Sequence, residues 1–179
     1  AILPTIRSRC QLIDLQPLDP SHFQQKLLQL DGIQITKEQS KLLSALTTNI
    51  EEAVSLHEAK HIYEIQQMIE QLFKLLTERY EERFLFIHER WLPLLVEKES
   101  QRLGLELLLL ALRDTIYAQI GHYHSLTFFQ QENPILNRMT ERFSNRRLVH
   151  MLKLTLEAKQ KWAQHTHPTL VIEQLILQF

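Results

Sequence analysis

The residues in this chain best suited to chemistry open it: Ser8, Arg9 and Cys10 set a guanidinium between a small hydroxyl and a thiol. Arginine is permanently charged and forks two donors toward a phosphate, so an Arg presented at a chain surface can stabilise charge on a transferring phosphoryl group. Read from the residues alone, Arg9 is first a surface Arg on a short helix. The second candidate is His57-Glu58-Ala59-Lys60-His61, a match to H-E-x-x-H, in which two His at i and i+4 hold zinc and the Glu works as general base. Glu78, Glu81 and Glu82 follow as candidate third ligands. No sheet edge that would hold a substrate strand accompanies the motif, so the two His read as a solvated pair near a helix end and no metal is assigned.

Other clusters are weaker. His122 with His124, and His165 with His167, lack a Cys or a nearby carboxylate and read as loop or cap residues. Arg142, Arg146, Arg147, Lys153, Lys159 and Lys161 concentrate positive charge late in the chain, which reads first as a solvated face and second as a phosphate contact. There is no GxxxxGK[ST] phosphate loop, so these 179 residues carry no P-loop nucleotide site, and no Ser-His-Asp or Cys-His arrangement has a defensible context. No cofactor is expected.

The elements that must position these residues are helices. Three Gly and six Pro in 179 residues, of which 44% are hydrophobic and 23% charged, favour long helices on short connections around a sizeable core. Asp19 before Pro20 starts a helix carrying Phe23, Leu27 and Leu30, which Gly32 ends. Thr36 with Gln39, and Asn49 with Glu52, are spaced as capping boxes for two more, the first bearing Leu42, Leu43 and Leu46, the second Ala53 and Leu56. From Ile62 a longer apolar series runs through Ile65, Met68, Ile69, Leu72, Phe73 and Leu76 to Tyr80. Phe84 to Val96 is a further helix that Pro93 should end or kink near Leu92. Ser100 is expected to cap a helix through Leu107, Leu108, Ala111 and Ile116 to Gly121. Residues 122–132 read as a connection; Asn133-Pro134, Ser144 and His167-Pro168 begin the remaining helices. Leu105 to Leu112 and Leu170 to Leu177 are apolar most of the way round, so each must be buried centrally or against a partner. The alternation over Gln11 to Leu18 suits one short strand, which cannot satisfy its own edges and is expected to belong to a sheet outside these residues.

A net charge of −1 argues against broad attraction to nucleic acid, although a local patch stays open. The one cysteine, Cys10, cannot form an internal disulfide, which suits a reducing, cytoplasmic setting. The most apolar run, Leu103 to Leu112, is too short to span a bilayer and carries Glu106, so no membrane role is expected. The chain opens on Ala with no signal-peptide pattern, and Ala1 reads as a truncation point.

Ile2 to Pro17, with Ser8-Arg9-Cys10 at its centre, resembles the region that closes the AAA+ core of bacterial DNA polymerase III clamp-loader subunits. His167 to Phe179 is similar to the end of that family's collar domain, as is Leu112-Arg113-Asp114 in a Leu-rich helix. The resemblance implies an all-α chain after an AAA+ remnant at residues 1–18: a small three-helix lid at 19–60 and a larger helical collar for oligomerisation at 61–179. It implies that Arg9, with Ser8 and Cys10 as its motif, is lent in trans to a neighbouring ATP site. Thr48 to Val54 resembles the family's Gly-Asn-Ile-Gly-Arg-Ala-Leu, whose Arg contacts nucleotide in ATP-binding members. Glu52 stands at that Arg, and a carboxylate repels a triphosphate. The resemblance therefore points to the non-catalytic delta-prime type, partnered by gamma/tau and delta subunits in a hetero-oligomer and indirectly by the sliding clamp and primed DNA. A fragment of an ATP-hydrolysing gamma/tau subunit and, further off, a zinc peptidase remain as alternatives.

Overall fold

The structure is a computed structural model that describes residues 19–129, 133–163 and 167–179. All regular structure in those residues is helical, in agreement with the all-α expectation. Residues 1–18 lie outside the described residues, and with them the AAA+ remnant, the strand over Gln11 to Leu18, and Ser8, Arg9 and Cys10.

Local chemistry starts most helices where the sequence places it. Asp19 accepts from the Ser21 amide at 3.1 Å and Pro20 fills the first position of α1 (Pro20–Leu28), whose Phe23 and Leu27 are buried. Thr36 and Gln39 close a reciprocal capping box on α2 (Lys37–Leu46), at 3.2 and 2.8 Å. Gln24 reaches Ser44 at 2.9 Å, tying α1 to α2 beside the buried Leu42 and Leu43.

For α3 (Ile50–Glu58) only half of the expected box forms. Asn49 caps the amides of Glu51 and Glu52, but the Glu52 carboxylate takes the Thr47 hydroxyl instead of reaching back to the Asn49 amide. That amide is already bonded to Thr47 Oγ1 at 3.0 Å, so no donor remains for it there.

Lys60 then adopts a left-handed conformation, φ 56°, and α4 (His61–Glu78) leaves in a new direction. It buries Ile62, Ile65, Met68, Ile69, Leu72, Phe73 and Leu76 along one face, each contributing on the order of 2 kcal/mol of apolar transfer. A 3-10 turn, Tyr80–Glu82, leads into α5 (Arg83–Phe86), a π-helical turn at Ile87–Trp91, and α6 (Leu92–Leu94). The helix ends at Leu94, two residues past Leu92, and is distorted just before Pro93. The wide turn, with the Leu92 amide bonded to the Ile87 carbonyl five residues back, gives the proline ring room and asks no N–H of it.

The central helix α7 (Lys98–Gln119) begins two residues before Ser100, which is not its cap. Its N-cap is Glu97, with no side-chain cap bond; the Gln101 amide makes the first intrahelical bond, to Glu97 O at 3.0 Å, and the buried Gln101 side chain donates to Val96 O at 3.3 Å. Gly104 sits where a Cβ would lie 2.5 Å from Leu95 Cδ1, so its lack of a side chain sets how closely the preceding segment packs. After Gly121 (φ 79°) come a short turn at Tyr123–Ser125, α8 (Pro134–Arg142, capped by Asn133), α9 (Asn145–Ala163, with Ser144 Oγ 3.3 Å from the Arg147 amide) and α10 (Pro168–Leu177).

Helix α7 packs against α4, α8 and α9, while α10 packs on α9 and α5. Leu105, Leu107, Leu108, Ala111 and Leu112 are wholly buried, which is why that stretch is apolar on most faces. In α10 the two options divide. Val171, Ile172, Leu175 and Ile176 enter the core, whereas Leu170 and Leu177 stay 61% and 44% exposed.

Candidate functional site

The H-E-x-x-H match does not make a metal site. His57 ends its run in the last turn of α3 and His61 is the first residue of α4, with left-handed Lys60 between them, so the two imidazoles do not share one helix face. His57 Nδ1 lies 2.6 Å from the Tyr63 hydroxyl, whose pKa burial pushes up to about 12, and His61 Nδ1 faces Glu64 at 3.3 Å. Both His are half-buried, not solvated, and the His61 Nε2 atom is enclosed without a partner. Among the described residues no three His, Cys, Asp or Glu gather as a metal set.

Glu52 lies one turn into α3, exposed, bonded to Thr47 and close enough to α7 that its charge acts on Arg102. The Glu99 hydrogen bond, then the charges of Glu106, Glu99 and Glu52, hold that guanidinium more basic than usual. Glu106 also meets Lys159 of α9 at 2.9 Å. An anionic residue tied to cations of the helical body is a poor contact for a triphosphate.

Between α2, α4 and the segment after Tyr123 runs an open groove of about 890 Å³, edged by Glu38, Lys41, Glu70 and His124 and floored by Leu42, Leu126 and Phe128. Burial raises the Glu70 carboxyl above the ordinary range. The segment forming one wall is held by Asp114, a role that the Leu112-Arg113-Asp114 pattern did not disclose. This carboxylate is fully buried in α7. Its Oδ2 accepts from the amides of Thr127, Phe128 and Phe129 at 2.8, 2.7 and 3.1 Å, and its Oδ1 faces Arg113 at 3.1 Å. Arg113 also donates to the Thr127 hydroxyl and lies 5.6 Å from the Tyr117 ring centroid. Residues 126–129 are therefore an anchored wall with Leu126, Phe128 and Phe129 buried, not a plain connection. The signals available were a lone Asp in an otherwise apolar helical run and three large apolar residues inside a supposed loop.

The late basic residues divide as well. Arg147 binds the Gln178 and Phe179 carbonyls, the first at 3.0 Å, Lys159 pairs with Glu106, and Lys161 meets Gln174 at 3.1 Å. Arg142, Arg146 and Lys153 are exposed and make no hydrogen bond or ion pair with the described residues. His122 and His124 stack at 5.6 Å on an exposed turn; His165 lies outside the described residues and His167 precedes α10. Exposed apolar side chains gather on α5 as Phe84 and Leu85, 55% and 54% accessible, and on α10 as Leu170 and Leu177. No helix among the described residues is long and apolar enough to cross a membrane.

The chain is similar to DNA polymerase III subunit delta' of Bacillus subtilis (strain 168), 30% identical over 176 residues that make up 98% of this chain and 52% of that protein. The match lies in the C-terminal part of that subunit, and the chain spans about half the relative's length. The resemblance read from Ile2 to Pro17 and His167 to Phe179 thus extends over nearly the entire sequence. No family model matches the chain. No solved structure matches it.

Proposed function

We propose that this chain is the assembly portion of a delta-prime-type clamp-loader subunit, non-catalytic in itself, acting in DNA replication. The observation that carries the reading is 30% identity sustained over 98% of the chain, since local helix chemistry alone would not keep one relative in register from end to end. On this reading residues 19–60 are a lid behind an AAA+ core, 61–179 are a collar, and the collar joins gamma/tau and delta subunits in a cytoplasmic hetero-oligomer. Two features favour it over a gamma/tau fragment or a hydrolase: Glu52, bonded to Thr47, at the position where the resemblance places a nucleotide-contacting Arg, and His57 and His61 divided between two helices. The apolar side chains left exposed on α5 and α10 suit a subunit whose ring neighbours cover them.

The single reactive contribution is Arg9, with Ser8 and Cys10, donated to the ATP site of an adjacent gamma/tau subunit. There it would stabilise charge on the transferring phosphoryl group while the assembly opens the sliding clamp at primed DNA. Replacing Arg9 by Ala in the complete polypeptide is expected to cut hydrolysis at that one neighbouring site by about 10³-fold, read as a partial loss of total ATPase turnover, with assembly intact by gel filtration. Unchanged turnover would remove the role from Arg9. Failure of the wild-type chain to join gamma/tau and delta would remove the whole reading.

A further inference from the structure

We infer that the outer face of α9, with the end of α8, is a docking surface for the phosphate backbone of duplex DNA. The sequence nets −1, yet residues 138–161 hold seven Lys or Arg against two Glu, so this short stretch is +5 while the rest of the chain is −6. The structure divides those seven by what they do. Arg138 pairs with Glu78, Arg147 with the carbonyls after α10, Lys159 with Glu106, and Lys161 with Gln174. These four hold the fold. Arg142, Arg146 and Lys153 hold nothing among the described residues, and all three are exposed.

Arg146 and Lys153 line one shallow groove with Asn145, Val149 and His150, about 430 Å³ in volume, and Arg142 ends α8 just before the turn into it. At 1.5 Å of rise per residue, Arg146 and Lys153 are spaced about 10 Å along the helix, a span that covers several phosphates of a duplex carrying a charge every ~1.7 Å of axis. Val149 keeps the floor of the groove free of carboxylates, and the nearest acids in sequence, Glu141 and Glu157, flank it at either end. A groove with one unpaired guanidinium, an ammonium and an imidazole, and a second guanidinium at the end of α8 beside it, complements an extended anion of regular spacing; a compact single ion would need converging donors that this open face lacks. DNA as the anion rests on the clamp-loader reading; the cationic face does not.

The test measures anisotropy of a short fluorescein-labelled duplex titrated with the protein across a salt series. The wild-type chain is compared with a triple variant, Arg142→Gln, Arg146→Gln and Lys153→Gln, and with a control that removes three exposed cations elsewhere, Lys26→Gln, Lys37→Gln and Lys98→Gln. Circular dichroism checks that both fold. The patch variant is expected to bind on the order of tenfold more weakly, with the slope of log K against log salt reduced by about 2.7, or 0.9 per lost contact, while the control stays near wild type. Equal loss in both variants, no loss in the patch variant, or displacement of the duplex by poly-Glu at lower concentration than by unlabelled duplex overturns the proposal. Clamp loading by the assembled complex is scored separately. A working loader with no patch-dependent slope sinks this surface alone, and a patch-dependent slope without clamp loading sinks only the functional reading.

Discussion

Replacing Asp114 by Ala should cost about 4 kcal/mol and release the wall formed by residues 126–129. Asp114 Oδ2 takes three consecutive amides at 2.7 to 3.1 Å in a fully buried site, and Phe128 and Phe129 are themselves buried on that segment. Hydrogen bonds to an ionised acceptor contribute about 1.5–3 kcal/mol each, and buried amides left without any acceptor cost about 1–3 kcal/mol apiece. Three stranded donors would cost about 3–9 kcal/mol if none relaxed, and a surface segment gives part of the upper end back by letting water in. Asp114→Asn keeps the shape and an uncharged acceptor oxygen for the three amides, but sets its NH2 against the Arg113 guanidinium in place of Oδ1, so about half the cost is expected. For a chain of this size 4 kcal/mol lowers Tm by about 10 °C. The assay is paired: urea unfolding for the global cost, and amide exchange at Thr127, Phe128 and Phe129 for its location. A loss under about 1 kcal/mol for Asp114→Ala, or retained protection at those three amides, refutes the reasoning that the buried carboxylate organises the segment.

Two further perturbations follow from the backbone and the groove. Lys60 is the one non-glycine residue with positive φ among the described residues and makes no side-chain cap bond, so Lys60→Gly should raise the urea midpoint, by about 0.5–1 kcal/mol in stability. Glu70 has its folded pKa raised by desolvation, so the native state holds that proton more tightly than the unfolded chain, and stability is lost as pH rises from the ordinary carboxylate value through the folded one. Glu70→Gln should therefore raise the urea midpoint at pH 7 and leave it nearly unchanged near pH ~4, where the unfolded carboxyl is itself substantially protonated; an equal gain at both would show a packing effect.

Helix starts were legible because each is written in two or three adjacent residues. Asp19 with Pro20, Thr36 with Gln39, Asn133 with Pro134, and Ser144 all act where their spacing puts them. The 3.6-residue rhythm of α4 was equally plain, since every apolar position from Ile62 to Leu76 on its face is buried. What the pattern hid are links between a side chain and distant backbone. Asp114 meets amides 13 to 15 residues away, Thr47 diverts Glu52 from its box, and Gln101 ties the start of α7 to the Val96 carbonyl. None of these leaves a periodic trace. The π-helical turn around Ile87 was invisible for a related reason: a proline is read as a stop unless the preceding turn is known to widen. As for the site, the functional weight fell on Arg9, outside the described residues, while the separation of His57 from His61 depended on one left-handed residue that no motif encodes.

The far end of α10 is gripped from both sides. Arg83 of α5 donates to the Ile176 and Leu177 carbonyls at 3.4 and 3.0 Å, and Arg147 of α9 to those of Gln178 and Phe179, while the Phe179 ring is wholly buried. Both guanidiniums meet the carbonyl end of the helix, where the dipole is negative. A mechanical load arriving along α10 is thus shared at once between two helices that are distant in sequence. The helix behaves less as a fraying tail than as a bolted strut, able to pass a displacement into the body rather than absorb it by unwinding.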